Sequence, residues 1–313
     1  MNRRSIVVLS LILFTQVLYG ADPYAFLQYG VGSSGLSKTG IVSSVPTAAS
    51  FYNPALLVNR ADQVMAGYSI PFSENFLLKE GETGIQGIGV YSMGVSYSKE
   101  KFGFGLSALM LENSDLIGYD DQGNETGGFS TYEGCISLGY GMQLKKGLNI
   151  GVNNKIIYQR LFEGYNRVVA TIGAGLEKRL SSRWTLTAVV DNLINYQISG
   201  NNIRYESPDR VYGLGAGYHI GRVHLSTTML SDLEDIIFST GFNAGVIQWM
   251  ELFGGVRDTV GYYGYNHEVN ALHSLSMMNL GIKLSLKRWS TDYSIGYQGS
   301  LGIKHTICGA YRY

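Results

Sequence analysis

The chain is poor in proline, cysteine and charge: its 313 residues include 5 Pro and 2 Cys, and charged residues make up 15%. Two cysteines, Cys135 and Cys308, are too few for a disulfide scaffold and form no metal-ligand cluster, so neither bridges nor a metal explains the fold. They read as isolated small side chains, with pairing in an oxidising compartment as the alternative. Lys+Arg and Asp+Glu number 24 each, so there is no basic surplus of the kind that binds nucleic acid by neutralising phosphates. Beyond residue 60 there is no run of roughly eighteen apolar residues, which excludes a membrane-crossing helix there. What is plentiful is glycine and tyrosine, 41 and 23 residues. That much glycine lowers helix propensity throughout, yet it comes without a collagen period or a low-complexity tract. One large all-β domain remains.

Residues 1–20 have a basic start, Arg3-Arg4, an apolar run from Ile6 to Phe14, and small residues at Gly20 and Ala21. This is the layout of a secretory signal, and the run is about half of the ~20 apolar residues a spanning helix needs. The mature chain is expected to begin at Ala21 or Asp22 and to be exported.

Many segments of about ten residues alternate in the period of a strand. From Trp289 to Gln298, one phase carries Trp289, Thr291, Tyr293, Ile295 and Tyr297, and the other carries Ser290, Asp292, Ser294, Gly296 and Gln298. Residues 148–158, 280–287 and 303–313 behave alike. Alternation alone fits a soluble sandwich as well as a membrane barrel. The polar phase, rich in Gly, Ser, Thr and Asn, suits a confined lumen, and aromatics near strand ends suit interfacial girdles.

Read this way, residues 62–313 hold about fourteen strands. Tight turns fall at 99–101, 144–147, 180–183, 220–221, 247–249 and 287–288. They alternate with long connections at 72–86, 113–130, 192–209 and 259–274 and a middling one at 161–167, while two others, 232–235 and 299–301, are short. The asymmetry predicts a transmembrane antiparallel up-and-down β-barrel in a bacterial outer membrane, with both termini periplasmic. Closure removes the open sheet edges that hydrocarbon cannot solvate. Tyr311-Arg312-Tyr313 resembles the aromatic-ended last strand read by barrel-assembly machinery.

Residues 21–60 do not alternate. They are rich in small residues, including Gly30-Val31-Gly32-Ser33-Ser34-Gly35 and Ser43–Ser50, followed by Phe51-Tyr52-Asn53-Pro54-Ala55. Composition leaves a lumenal plug and a flexible linker equally open. The glycines of residues 30–40, Thr47-Ala48-Ala49-Ser50 and Asn53-Pro54-Ala55 resemble the N-terminal hatch of the long-chain fatty-acid transporter (FadL) superfamily, especially its shorter branch related to the type IX secretion protein PorV. Later segments agree, namely Ser207-Pro208-Asp209-Arg210-Val211-Tyr212-Gly213-Leu214, Gly245-Val246-Ile247-Gln248-Trp249, Gly254-Gly255-Val256-Arg257, and Leu301-Gly302-Ile303-Lys304-His305. Where the family commonly has Asn-Pro-Ala-Gly, this chain has Leu56 in the fourth place. The resemblance implies a fourteen-stranded barrel with a hatch, and with the signal read at 1–20 this places the hatch at 21–60 and the barrel at 61–313. In the transporters it further implies a hydrophobic ligand that passes through the barrel wall, with Asn53, Pro54 and Ala55 at the moving hatch.

Enzyme chemistry has little footing. His219 and His224 flank a turn, His267 and His273 lie in a long loop, and His305 falls in the apolar phase of the last strand, so no close catalytic motif forms. His267-Glu268 reads as a solvated pair rather than a metal site, and Gly30–Gly35 has the outline of a phosphate loop without the strand-turn-helix it needs. The inward-phase charges Glu133, Lys155, Glu177, Lys283, Asp292, Lys304 and Arg312 are expected either to tune a permeation path or to pair around the plug. No catalytic residue, cofactor or metal is implied. Expected partners are outer-membrane lipid, a hydrophobic small-molecule ligand and the assembly machinery, but no nucleic acid. Uptake of small hydrophobic molecules such as long-chain fatty acids is one function. A PorV-like shuttle for exported protein cargo and a structural surface barrel are the alternatives.

Overall fold

In a computed structural model, which describes residues 39–42, 46–58, 62–73, 88–119, 122, 125–162, 165–200, 210–231, 235–261, 277–297 and 303–313, the alternating segments pair into one closed sheet. The strands are β1 (Gln63–Ser73), β2 (Ile88–Lys99), β3 (Phe102–Tyr119), β4 (Glu125–Lys145), β5 (Leu148–Phe162), β6 (Tyr165–Arg179) and β7 (Trp184–Gly200). They continue as β8 (Val211–Ile220), β9 (Val223–Ser231), β10 (Asp235–Ile247), β11 (Met250–Gly261), β12 (Met277–Leu286), β13 (Trp289–Tyr297) and β14 (Ile303–Arg312). Each pairs antiparallel with its neighbours in sequence, and β1 closes on β14 from Gln63↔Arg312 to Ile70↔His305. The expected fourteen-stranded antiparallel up-and-down barrel is therefore present.

The two-residue rhythm sorts side chains as expected. On β13, Trp289, Thr291, Tyr293, Ile295 and Tyr297 point outward and are exposed, while Ser290, Ser294 and Gly296 are buried on the inner side. The outer surface is a band of exposed apolar residues such as Leu138, Val152, Leu214 and Leu280, an arrangement that bulk water disfavours. At the end with short turns, several connections are two-residue hairpins whose first or second residue has positive φ, at Glu100 (51°), Gly147 (74°), Gly221 (58°) and Lys287 (54°). Such turns match the right-handed twist of the paired strands. All three tryptophans gather at this end: Trp184 opens β7, Trp289 opens β13, and Trp249 lies between β10 and β11. Trp184 packs in a tilted arrangement against Tyr218, and Trp289 against Tyr311, with ring centroids 4.4 and 4.8 Å apart, forming an aromatic rim.

Several strands run further than hydropathy suggested. The span 113–130, read as a loop, is mostly strand, because β3 continues to Tyr119 and β4 begins at Glu125. Similarly, β7 continues to Gly200 into the supposed loop 192–209, and 161–167 is largely taken up by β5 and β6. The reason is local: the β3–β4 register shifts between Asn113 and Leu116, and the β6–β7 register shifts between Ile172 and Ala174. A bulge resets which parity faces out, so a continuous strand looks like the end of an alternation. The signal at 1–20, the Gly30–Gly35 run, His267, Glu268, His273 and the short connections 232–234 and 299–301 lie outside the described residues. Cys135 on β4 and Cys308 on β14 are free, with three strands between them in the wall.

Candidate functional site

Residues 46–58 lie against the inner face of the wall as three short helical turns, Pro46–Ala48, Ala49–Tyr52 and Pro54–Leu57. The wall is cut to receive them. A Cβ at Gly151 would run into the carbonyl carbon of Pro54, and one at Gly175 would run into Asn53 Oδ1. Polar side chains then satisfy the segment's backbone: Ser137 Oγ and Asn153 Nδ2 donate to the Ser50 carbonyl at 2.8 and 2.7 Å, and Ser107 Oγ donates to the Thr47 carbonyl. This explains the Gly, Ser and Asn bias of the inward phase, since a buried carbonyl without a donor would cost about 1–3 kcal/mol.

Asn53, Pro54 and Ala55 are wholly buried at the centre of this contact. Asn53 joins three elements. Its Oδ1 accepts from the Ala55 amide at 3.1 Å, and its Nδ2 donates to the carbonyls of Ile41 at 3.0 Å and Leu176 on β6 at 3.3 Å. Residues around Ile41 are thus tied to the segment and the segment to the wall.

Ile41 leads to the least expected feature of the interior. On the inner face of β7–β10, Val189, Val211, Leu230 and Ile237 are all buried and form an apolar cluster with Ile41, Val42, Ala48 and Tyr52. The pairings Val189↔Gly213, Gly213↔Leu230 and Leu230↔Ile237 place three of these wall residues in one rung. Gly213 makes a dent between them: a Cβ there would lie 2.5 Å from Val189 Cγ2, 2.6 Å from Leu230 Cδ2 and 3.2 Å from Ile41 Cδ1. The Ile41 side chain sits in this apolar recess, on an inner wall that also carries apolar side chains elsewhere, such as Leu109, Ile157 and Val169 on β3, β5 and β6. Both phases of Leu186-Thr187-Ala188-Val189-Val190 are largely apolar, which is the sequence signal of burial on two sides.

The anticipated interior charges fall into two arcs. On β4–β7, Glu133 accepts from Gln159 at 2.7 Å, and Gln159 in turn accepts from Arg167 Nη2. Lys155 pairs with Asp191, whose partnership the alternation pattern did not reveal, and Glu177 accepts from Asn149 at 2.6 Å. On β11–β13, Glu251, Lys283 and Asp292 stand opposite one another in register, and Asn243 donates to Glu251 at 3.2 Å. Lys304 is half-buried on the inner phase of β14, and Arg312 is exposed at its end. Of the histidines, His219 and His224 stack with ring centroids 4.1 Å apart beside their turn, and His305 meets the Tyr293 hydroxyl through Nδ1 at 2.8 Å. Among the described residues, no group of three or more His, Cys, Asp and Glu is placed to hold a metal.

No protein-family model and no curated protein matches the chain. Solved structures do. The chain is similar to the toluene transporter TbuX of Ralstonia pickettii, with a TM-score of 0.68 at 11% identity over 92% of this chain and 100% of that one. It is also similar to the toluene transporter TodX of Pseudomonas putida, with a TM-score of 0.60 at 12% identity over 90% and 96% of the two chains. A FadL homologue of Pseudomonas aeruginosa gives 0.57 at 12% identity over 90% and 97%. At these identities, the likeness is one of fold, and it extends over nearly the whole of each chain.

Proposed function

We propose that the chain is a bacterial outer-membrane barrel, with both termini periplasmic, that takes up small hydrophobic molecules. The observation that carries this reading is the apolar recess at Gly213, flanked by Val189 and Leu230 and filled by Ile41. A pore for polar solutes has no use for apolar side chains on its inner wall, whereas a site for an apolar ligand needs a few of them in one place. Ile41 then holds the recess until a ligand replaces it, and residues 46–58, pinned by Asn53, act as the hatch whose movement frees Ile41. The apolar outer band and the tryptophan-bearing rim support insertion in a bilayer. A long-chain fatty acid is the ligand suggested by the sequence resemblance, and monoaromatic hydrocarbons are those named for the structurally similar channels. Both offer an apolar body that this recess can bury.

The test is equilibrium binding of labelled oleate and of toluene to refolded, detergent-solubilised protein whose folding is checked by heat-modifiable gel mobility. Saturable binding of at least one ligand is expected. Leu230→Asp is expected to weaken it by about tenfold or more, a loss of roughly 1.4 kcal/mol or more from placing a charge in the recess. Absence of binding to the folded wild type, or unchanged binding by the variant, contradicts the proposal. Absence of binding together with a co-purifying exported protein would favour the shuttle instead.

A further inference from the structure

At the short-turn end, the outer face of β2–β4 is hollowed. The pairings Tyr97↔Phe104 and Phe104↔Tyr140 set three rings side by side in one rung, and Lys99↔Phe102 forms the next rung toward the β2–β3 turn. The ring centroids of Phe104 and Phe102 lie 5.0 and 6.1 Å from that of Tyr140. Ser96, Gly103, Gly105 and Gly139, in the opposite phase, are buried on the inner side, so the rings face out. Tyr97, Phe102 and Phe104 are exposed. With Lys99 and Glu100, the four rings line a groove of about 500 Å³.

Rings at a bilayer interface are ordinary in a spanning barrel. The charges at this groove are not. The tight turns at 99–101, 144–147, 180–183, 220–221, 247–249 and 287–288 hold several Lys and Arg and a single acidic residue, Glu100. Glu100 also has φ 51°, the left-handed place that glycine fills at Gly147 and Gly221 and that Lys287 fills in its own turn. A side chain is strained there, and such strain collects at ligand clamps. On a rim whose other turn charges are cationic, one negative charge is thus held beside Lys99 and four aromatic rings. The groove is complementary to a group that carries both signs of charge on an apolar body.

We propose that this groove binds one phospholipid of the adjoining leaflet whose headgroup carries both a phosphate and a primary ammonium. Lys99 meets the phosphate. Glu100 and the neighbouring ring faces take the ammonium, which is attracted to an aromatic face as well as to a carboxylate. Phe102 and Phe104 cover the glycerol and the start of the acyl chains. A headgroup with a phosphate alone would meet Glu100 as a like charge. The proposal rests on the bilayer placement given above and not on uptake, since the recess lies on β7–β10, another arc of the wall.

The experiment uses the full chain, refolded in detergent and checked by gel mobility, and titrates it with phosphatidylethanolamine or with phosphatidylglycerol of the same acyl chains. Native mass spectrometry reads the one-to-one lipid adducts. The wild type is expected to hold phosphatidylethanolamine about fivefold more tightly than phosphatidylglycerol. Glu100→Gln should erase that preference by weakening phosphatidylethanolamine, and Lys99→Gln should weaken both lipids about fivefold. Tyr140→Leu should weaken phosphatidylethanolamine about threefold or more. Lys287→Gln, at the corresponding place of the β12–β13 turn, should change neither, and soluble phosphoethanolamine at the same concentration should displace neither lipid. No preference in the wild type, a preference that survives Glu100→Gln, a loss in Lys287→Gln as large as in Lys99→Gln, or displacement by phosphoethanolamine would overturn the proposal. Absence of oleate and toluene binding would strike the uptake reading alone, and the lipid adducts would still judge the groove.

Discussion

Valine in place of Gly175 is expected to lift residues 46–58 from the wall while leaving the barrel closed. Asn53 Oδ1 occupies the space a Cβ would take, and the Asn53 side chain also holds the Ala55 amide and the carbonyls of Ile41 and Leu176. Overpacking at such a site costs about 1–3 kcal/mol, and the cheapest relief is to move the segment rather than the ladder-bonded strand. Ser50 is wholly buried, so a cysteine introduced there is a sensitive reporter. In the Gly175→Val background, its rate of thiol labelling should rise roughly 5- to 150-fold, the equivalent of that same about 1–3 kcal/mol. Gly309→Val is the matched control, because a Cβ there meets nothing within 4 Å, and it should leave the rate unchanged. Equal labelling in both variants would mean that the segment is not held by its seat on β6.

A second large effect concerns the outer face. Leu280 lies near the middle of β12 and is 54% exposed, whereas Leu286, at the short-turn end of the strand, is 74% exposed. For a protein in water, lysine at either position would be nearly neutral. For a barrel in a bilayer, Leu280→Lys should cost about 2–4 kcal/mol and Leu286→Lys about 0–1 kcal/mol, because the penalty follows depth. Urea titration of folding into lipid vesicles, followed by gel mobility, reads the difference. Equal tolerance at the two positions would count against a lipid-facing band.

How far residues announce themselves differs between the wall and its contents. Strand β13 is legible because every odd residue from Trp289 to Tyr297 meets one surroundings and every even residue another. The fourteen strands and their closure follow from that repeated contrast. It fails where parity is reset, as at Asp191–Leu193, so β7 looked as though it ended at Asp191. The pairing of Lys155 with Asp191 was hidden for the same reason, since it depends on a glycine on the strand between them. Asn53 could be found through its Pro54-Ala55 context, but its three bonds reach Ile41, Ala55 and Leu176, which no local pattern links. The apolar recess is a partial case. Two-sided apolarity in 186–190 marks burial, yet only the register that aligns Val189, Gly213 and Leu230 turns it into a site.

The account stands most directly on where an apolar molecule goes. Crystals of the full chain soaked with bromobenzene or a bromo-fatty acid would locate it by the anomalous signal of bromine. The expected result is a bromine peak against Gly213, Val189 and Leu230, with the Ile41 side chain displaced from its present contact. Bromine found only on the outer band, with Ile41 still seated in the recess, would contradict it.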